Sequence, residues 1–580
     1  MGASTGAAYA VANPGVTDVK ITQQTGTCTG IVKDATGEGV IGASVVVKGT
    51  TNGTITGLDG DFSLSNVKEG DIIVISFVGY ATQEIKWTGK PLDVLLKDDT
   101  QLLGEVVVTA LGMKREEKAL GYAVTELKSE ELYTNTVNPV ASLQGKVAGV
   151  EISNSDGGIF GSAKIQIRGA STLGSNNQPI YVVDGVILDN STQGRDMDGE
   201  EIDAIDYGNE LKNLNPDDFE TVSVLKGAAA TALYGSRGLN GAVVITTKGG
   251  GKFKGFGVDV TQTLGIDHAY KQPSIQTVYG PGARPGRIGY GENGNTWIPT
   301  YYTNAKGEPS LIGASTLGWG LPYDSSVMIE DYDGRKVPYS PIKNNMLDMY
   351  QLGFNTNTNV SVRGGNEKTS FYSSVSYKKV NATTPNNTFE RYAFLVKGSH
   401  KISDRVDVAA SVSFANSKPR NAARAVGEYF YQGLTPLYDA KYYRDKYLSE
   451  QGGIARSGDT YANVPESSKS YWFNIDNMDY NRKETVVRPI LEVNVKIADW
   501  VRFKGEGNMN YVYIREENKE LGTGVAYEGG NYKLAQQTKE QTTFAGTFTF
   551  DKAVKDFNLG GFIRGEYYNN YQTAYSVETD

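Results

Sequence analysis

The 580-residue chain is acidic, with a formal net charge of −9, and its single cysteine, Cys28, excludes an internal disulfide. No apolar run approaches the ~18 to 20 residues that a membrane-spanning helix needs, which excludes a transporter built from helices. The only two histidines, His268 and His400, lie far apart in the sequence. Since no catalytic triad, zinc site or phosphate-binding loop can be assembled, we expect neither an enzyme nor a bound cofactor.

The first 27 residues are rich in small side chains and contain Ala8-Tyr9-Ala10, which fits a signal-peptide cleavage site. No basic start and no apolar core precede this site. We interpret residues 1–27 as the remnant of an export signal with a clipped start, and a flexible tail is the alternative.

Residues 28–98 alternate short β-rich runs with glycine-rich turns. The runs include 45–47 and 72–77, and Asp59-Gly60-Asp61 is typical of a tight turn. Strands at such regular spacing predict a small β-sandwich. No lipid-attachment motif precedes Cys28, so we interpret this residue as part of the sandwich rather than as a lipid anchor.

A β-branched run lies in the polar linker formed by residues 99–114. It comprises Glu105, Val106, Val107, Val108, Thr109 and Ala110. An exposed, extended segment of this kind can add as a strand to the sheet edge of a partner protein, held by main-chain hydrogen bonds. The alternative is that residues 106–108 form the first strand of the domain that follows.

Two glycine-punctuated segments, 165–185 and 224–250, dominate the next domain, which we place at residues 115–250. Short β-rich stretches broken by glycine predict a small mixed sheet with tight loops. Between them, Asn215-Pro216-Asp217-Asp218 predicts a helix start, with proline in the first turn and carboxylates near the positive end of the helix dipole. A second short helix is predicted over residues 228–234, so the domain is expected to be α/β.

From residue 251 to residue 580, apolar and polar side chains alternate along the chain. In 405–414, for example, Val406, Val408 and Val412 share one face and Arg405 lies on the other. A period of two predicts strands with one apolar face. We expect about nine strands, near residues 257, 360, 374, 395, 410, 491, 508, 546 and 563.

The connections between these strands suggest a membrane protein. Short turns such as Ile402-Ser403-Asp404 alternate with long polar stretches at about 266–355 and 417–485. This is the pattern of the periplasmic turns and extracellular loops of a transmembrane antiparallel β-barrel. Tyrosines suited to the membrane interface lie in or near the strands, namely Tyr377, Tyr392, Tyr511, Tyr513 and Tyr567. A soluble, half-buried sheet is the alternative.

Several segments resemble a known family. LQGKVAGVEIS, IQIRG, NNQPIYVVDG and LNPDDFETVSVLKGAAATALYGSRGLNGAVVITTKGG, in this order, resemble the plug domain of TonB-dependent outer-membrane transporters. Residues 28–97 resemble the carboxypeptidase-regulatory-like domain that precedes the plug in the SusC/RagA family of Bacteroidetes, and residues 105–110 resemble its Ton box. The implied fold is mostly β, with a sandwich, a plug and a barrel of ~22 strands. Because about nine strands do not close such a barrel, we expect a fragment of a protein of roughly a thousand residues.

The resemblance also assigns roles to plug residues. The plug-motif residues are Arg168, Gly169, Asp184, Gly185, Tyr234, Gly235, Arg237 and Gly238. Arg168, Asp184 and Arg237 are expected to hold the plug together or to seat it on the barrel wall. The polar stretch that contains Ser175, Asn176 and Asn177 is a hypothetical apical loop that contacts substrate.

An acidic insertion in the plug region is the only candidate for a metal site. It contains Asp196, Asp198 and Glu200, whose oxygens suit calcium. Their spacing fits no complete calcium-binding loop, so we favour a solvated acidic loop without a metal.

The function implied by the resemblance is TonB-dependent import of a nutrient across the bacterial outer membrane. The implied partners are the inner-membrane TonB complex, a SusD-like surface lipoprotein and outer-membrane lipid, and no nucleic acid is expected. Oligosaccharide and oligopeptide substrates both fit, and we favour an oligosaccharide. Aromatic residues of the long loops can stack on sugar rings or fill the cores of the loops, namely Trp297, Trp319, Tyr301 and Tyr302. A surface adhesion protein is an alternative that leaves the plug motifs unexplained.

Overall fold

The computed structural model describes residues 25–34, 37–50, 52–77, 80, 82–96, 106–109, 113–116, 124–132, 137–154, 158–169, 177–188, 190, 206–251, 256–282, 303–312, 318, 320–421, 434–524, 529–554 and 557–579. The chain divides into two compact units. The first is Met1–Val107 with Arg115–Leu120, and the second is Val108–Lys114 with Gly121–Asp580.

The first unit contains the predicted β-sandwich. Its strands are β1 (Thr25–Lys33), β2 (Ser44–Val47), β3 (Gly53–Ile55), β4 (Asp61–Lys68), β5 (Ile72–Ser76), β6 (Gln83–Lys86) and β7 (Leu92–Leu95). One sheet has the order β4-β1-β7 and the other β3-β2-β5-β6. Along β4, Phe62 and Leu64 are buried and their neighbours are exposed, so alternate side chains enter the core. The prediction of a sandwich is confirmed.

Cys28 belongs to the core of this sandwich. Its side chain has no exposed surface and packs among apolar residues such as Val45 and Leu64. Burial raises the pKa of the Cys28 thiol to about 11. The thiol therefore stays protonated and shielded at neutral pH.

We expect a maleimide to label Cys28 at least ~100-fold more slowly in the folded protein than in guanidinium, because the thiolate is the reacting form. The matched control is Thr29→Cys in a Cys28→Ser background, since residue 29 is the exposed neighbour on the same strand. Labelling is followed by mass spectrometry at pH 7.5. Equal labelling rates for the two folded proteins would contradict the buried placement.

Two short strands follow in the linker. They are β8 (Val106–Thr109) and β9 (Met113–Glu116), which form a two-stranded sheet of their own. In the described part of the chain, β8 does not join the sheet of the following domain, which argues against residues 106–108 as its first strand.

Residues 124–251, called the plug below, form a small α/β domain. Its strands are β10 (Val124–Lys128), β11 (Val150–Asn154), β12 (Ala163–Ile167), β13 (Ile180–Val183), β14 (Val186–Leu188), β15 (Phe219–Leu225) and β16 (Ala242–Thr247), and its helix is α1 (Ala228–Tyr234). A five-stranded sheet has the order β10-β15-β16-β13-β14, and β11 pairs with β12. Only β13 and β16 pair in parallel within the described ladders of this sheet. The predicted mixed sheet and the helix at 228–234 are confirmed.

The predicted helix start at Asn215-Pro216-Asp217-Asp218 is present, but the helix ends after a single turn. Pro216–Asp218 makes one 3₁₀ turn with proline in its first position, and the chain enters β15 at Phe219. The backbone after the turn bonds to β16 instead of continuing as a helix. The two carboxylates are directed at partners outside the plug, which the next subsection describes.

A nine-stranded antiparallel sheet, called the wall below, follows the plug in the second unit. Its strands are β17 (Phe256–Asp267), β20 (Gly353–Gly365), β21 (Thr369–Asn381), β22 (Thr388–Ser403), β23 (Val406–Arg420), β24 (Asp479–Ala498), β25 (Val501–Glu520), β26 (Asn531–Val554) and β27 (Phe557–Glu578). Each strand pairs with the next one in this series. The nine strands and their alternation agree with the prediction. No helix in the described part of the chain is both long and apolar enough to span a membrane.

Two long connections on one end of the wall pack into a core of their own. They contribute the hairpin β18 (Asp324–Glu330) and β19 (Lys336–Tyr339) and the helix α2 (Glu466–Asn477). Tyr438, Tyr443, Trp472 and Phe473 are almost fully buried in this core. These four aromatic residues therefore fill the core of the loops, whereas Tyr270 and Tyr279 of the first connection are exposed. Trp297, Tyr301, Tyr302 and Trp319 lie outside the described residues.

Candidate functional site: the seam between plug and wall

The plug meets the wall through a polar segment, residues 206–218, that is buried almost throughout. Glu210 and Lys212 are each 1% exposed, an unusual burial for charged side chains. The side chain of Asn209 accepts a hydrogen bond from the N–H of Leu211 and so begins the 3₁₀ turn Glu210–Asn213. Leu211 and Leu214 enter the apolar core of the plug, which leaves the polar residues for the wall.

The centre of the seam is a buried ion-pair network. Lys212 Nζ lies 2.8 Å from Glu484 Oε1 of β24, and Arg482 Nε lies 2.6 Å from the same oxygen. Asn213 Nδ2 donates to the other oxygen of Glu484 at 2.9 Å, and Arg482 also pairs with Glu516 at 2.9 Å. Burying a lone charge is costly, so each partner stabilises the others in this position.

A second charge from the same turn binds the wall beside this network. Glu210 Oε2 accepts hydrogen bonds from Asn510 Nδ2 at 3.0 Å and from Arg488 Nη2 at 3.3 Å. Arg488 Nε also donates to Asn510 Oδ1 at 2.8 Å, which fixes both donors. The plug thus presents an anion, Glu210, and a cation, Lys212, to opposite charges on β24.

The turn Pro216–Asp218 binds other strands on the same face of the wall, namely β20 and β21. Asn357 Nδ2 donates to Asp217 Oδ2 at 2.6 Å, and the hydroxyl of Tyr372 donates to Asp218 Oδ1 at 2.8 Å. Buried Arg391 donates from Nη1 to the carbonyl oxygens of Lys212 and Leu214. The carboxylates that predicted a helix start therefore serve as docking groups.

Asp184 of the plug motif reaches the wall separately. It has a positive φ of 47° and is followed by Gly185 with φ 88°, which forms the tight turn between β13 and β14. Lys397 Nζ lies 3.2 Å from the Asp184 carboxylate, which also accepts from the N–H of Thr247 at 3.0 Å. The turn is thereby tied both to β16 and to β22.

Arg237 makes a further contact between plug and wall. Its guanidinium pairs with Glu566 and lies 5.0 Å from the ring centre of Tyr568. The bend that carries it needs glycine, because a Cβ at Gly238 would come 2.5 Å from the carbonyl oxygen of Ala230. Gly235 has φ 63°, and Tyr234 packs against the smaller apolar cluster of the plug.

The remaining residues assigned from the sequence add nothing to the description of this seam. Arg168 is exposed and has φ 63°, and Gly169 follows with φ 86°. Asn177 is half-buried just before β13. Several others lie outside the described residues: Glu105, Ala110, Ser175, Asn176, Asp196, Asp198 and Glu200. Among the described residues, no group of His, Cys, Asp or Glu side chains can hold a metal ion.

A small cavity of about 50 Å³ lies in the seam. Its lining includes Asn213, Asn215, Asp218, Ser411 and Arg488, beside apolar residues of both plug and wall. A polar cavity of this size has room for ordered water. The seam therefore has room for ordered water beside its protein contacts.

Sequence reasoning missed the docking role of residues 209–218. The available signal was the density of amide and charged residues in a stretch flanked by buried strands. Their partners, such as Glu484 and Arg488, appear in the sequence only as polar members of an alternating strand.

We expect Lys212→Met to destabilise the docked plug by about 3 kcal/mol, because it leaves two carboxylates, Glu484 and Glu516, to share the single cation Arg482. The measurement is the urea dependence of hydrogen exchange in residues 206–218. Lys336→Met, which removes an exposed ion pair with Glu308, is the control and is expected to leave this exchange unchanged. Equal exchange in the Lys212 variant and the wild type would contradict the docking role.

Comparisons with known proteins agree with this architecture. Residues 28–108 match the family described as CarboxypepD_reg-like domain, and residues 116–242 match the TonB-dependent Receptor Plug Domain. The TonB-dependent receptor SusC of Bacteroides thetaiotaomicron is 35% identical over 400 residues, which cover 68% of this chain and 34% of SusC. The TonB-dependent receptor P26 of Formosa agariphila is 27% identical over 463 residues, which cover 78% of this chain and 39% of P26.

A solved structure shares the fold. The RagAB peptide importer in its open-open state has a TM-score of 0.59 and 18% identity, and the alignment covers 82% of this chain and 50% of that one. The chain thus spans about a third to two fifths of the length of the curated relatives described above.

The plug, the sandwich and the nine-stranded wall together define the class of TonB-dependent receptors. Within that class, the chain belongs to the SusC/RagA-type family. The relatives are receptors and transporters, which confirms the expectation that the chain is not an enzyme. The wall is accordingly part of the β-barrel of such a receptor, and relatives of this class reside in the outer membrane.

Proposed function

We propose that this protein imports a nutrient across the outer membrane, with the plug as the gate and TonB as the source of the pulling force. The seam is the observation that carries the proposal. A plug that is held in a barrel by hydrogen bonds and ion pairs can leave its seat when water solvates the separated polar groups. An apolar seat would expose apolar surface to water each time the plug left it, which is unfavourable.

The site for TonB in this proposal is the Ton box at residues 105–110. Strand addition depends on the main chain, so side-chain identity matters less than a free backbone N–H. Proline lacks this N–H and removes one ladder hydrogen bond.

We expect Val107→Pro to lower substrate uptake at least ~10-fold and to leave substrate binding unchanged, because only the coupling to TonB is lost. Val107→Ala is the matched control and should retain most of the uptake. Uptake of a radiolabelled substrate and its binding to whole cells are measured on the full-length protein. Normal uptake by the proline variant, or by a variant that lacks residues 105–110, would refute this assignment of the Ton box.

An oligosaccharide is the favoured substrate, and a SusD-like lipoprotein is the proposed partner at the cell surface. The similarity to SusC supports both, because the resemblance to that branch implies glycan import with a lipoprotein lid. The packed loop core around Trp472 offers a shaped extracellular surface on which such a lid can rest. An oligopeptide is the second candidate, because the structure that shares the fold is described as a peptide importer.

We expect cells that depend on this protein to grow on a set of purified oligosaccharides and to fail on oligopeptides of similar mass. The matched strain lacks residues 105–110 and should lose that growth. Growth on peptides alone would replace the favoured substrate by the second candidate. Growth on neither class, in cells with folded receptor, would remove import of both nutrients as the function.

A further inference from the structure

The outward face of the wall changes character abruptly along its strands. On β23 the outward side chains from Val406 to Phe414 are valine, alanine or phenylalanine, and Asn416 and Lys418 follow. On β24 the outward positions change in the same way, from Val487 to Thr485 and Lys483. Short turns join the strands at the apolar end, and the two long connections, 268–352 and 421–478, lie at the polar end. Long connections are typical of the extracellular side of a barrel.

A row of tyrosines and polar residues marks the boundary. Register places Tyr377 opposite Tyr392, Tyr392 opposite Asn416, and Thr485 opposite Tyr513. Asn416 in turn faces Thr485, so the row crosses five strands. The rings of Tyr377 and Tyr392 are 4.8 Å apart. Tyrosines at this position are typical of the level of lipid headgroups.

The next outward row is cationic. Lys379 faces Glu390, Glu390 faces Lys418, and Lys483 faces Arg515. Ser417 pairs with Glu484 and Arg420 with Asn481, so Lys418 lies opposite Lys483. Three cations therefore stand side by side on three adjacent strands, and like charges directly opposite each other destabilise a sheet.

Nearby carboxylates do not compensate for this row. Glu390 lies 3.5 Å from Lys379, Asp479 pairs with Arg420 at 2.8 Å, and Glu517 lies 3.2 Å from Lys519 and 3.8 Å from Arg515. Lys418 and Lys483 have no carboxylate within ion-pair distance among the described residues. We call this outward patch the cation row. Its described charged residues are six cations and three carboxylates: Lys379, Lys418, Arg420, Lys483, Arg515 and Lys519 with Glu390, Asp479 and Glu517.

The height of the cation row fits a headgroup. Ten residues separate Val406 from Asn416, and at ~3.4 Å per residue and a tilt of ~40° they rise roughly 26 Å. The apolar band of an outer-membrane barrel is ~25 Å tall. Lys418 therefore lies just above the band, at the level where lipid phosphates lie.

We propose that the cation row binds the phosphates of a glycolipid in the extracellular leaflet. The proposal rests on the proposed placement of this protein in the outer membrane. The carboxylates of the cation row are too few to balance its cations, and phosphate oxygens supply the missing negative charge. They relieve the repulsion between Lys418, Lys483 and Arg515. The excess of positive charge suits a headgroup with more than one phosphate.

The test uses the full-length receptor purified in detergent and its triple variant Lys418→Gln, Lys483→Gln, Arg515→Gln. Both proteins are titrated with lipid A that carries phosphates and with the same lipid after dephosphorylation, and bound lipid is counted by native mass spectrometry. We expect the wild type to bind the phosphorylated lipid at least tenfold more tightly than the triple variant does. The dephosphorylated lipid should bind both proteins equally weakly.

The matched control removes the same charge from the other end of the wall. It carries Lys368→Gln, Lys401→Gln and Arg405→Gln, three exposed cations beside the short turns. It should bind phosphorylated lipid as the wild type does. Lys483→Gln alone is the second variant, and a several-fold loss is expected for it.

Thermal stability separates ligand binding from a structural role. In detergent without lipid, the triple variant should melt at least as high as the wild type, because removing like charges relieves repulsion. Adding phosphorylated lipid should raise the melting temperature of the wild type alone. A triple variant that unfolds more easily without lipid would overturn the proposal, and so would equal binding of lipid to both proteins.

Further outcomes show which phosphate compound is bound, and they separate a failure of this inference from a failure of the proposed function. If inorganic phosphate or phosphatidylglycerol raised the melting temperature of the wild type as much as lipid A does, the glycolipid assignment would be overturned. A wild-type receptor that inserts into outer membranes and imports substrate, but binds no phosphorylated lipid, would refute this inference alone. A receptor that does not insert would refute the proposed function.

Discussion

The barrel wall carries charged side chains on the face that the plug covers, and every such charge has to find a partner when the plug is in place. Glu484 is the clearest example, since Lys212 and Asn213 from the plug and Arg482 from the wall all contact it. A carboxylate buried without these donors would cost several kcal/mol. This requirement explains why residues 206–218 are polar although they are buried, and why they turn twice instead of forming a helix.

The plug is held together and held in place by different forces. Its core joins Leu127, Ile165, Tyr181 and Val243, which lie on separate strands, through apolar contacts that water cannot replace. Its seam with the wall consists of hydrogen bonds and ion pairs, which water can replace at modest cost. A body with an apolar interior and a polar seat can move against a barrel and still keep its own fold. This division of forces suits a gate.

The two faces of each wall strand have different surroundings in the described structure. Inward positions such as Asn357 and Arg488 bind the plug, whereas outward positions such as Val412 and Leu491 are apolar and exposed. The period of two made this division visible in the sequence, because each face keeps one character over many residues. The strands continue beyond the apolar stretch, so the outward face changes from apolar to polar and cationic along each of them.

The sequence by itself determined the sandwich, the mixed sheet of the plug, the helix at 228–234 and the nine wall strands, because these depend on local periodicity and on glycine. It did not determine that the helix begun at Asn215-Pro216-Asp217-Asp218 ends after one turn, where the two carboxylates bind Asn357 and Tyr372 of the wall. Only the tertiary structure decided which polar groups meet. Asn213 and Glu484 are 271 positions apart, and their contact depends on strand register and on the seat of the plug, which no local pattern encodes.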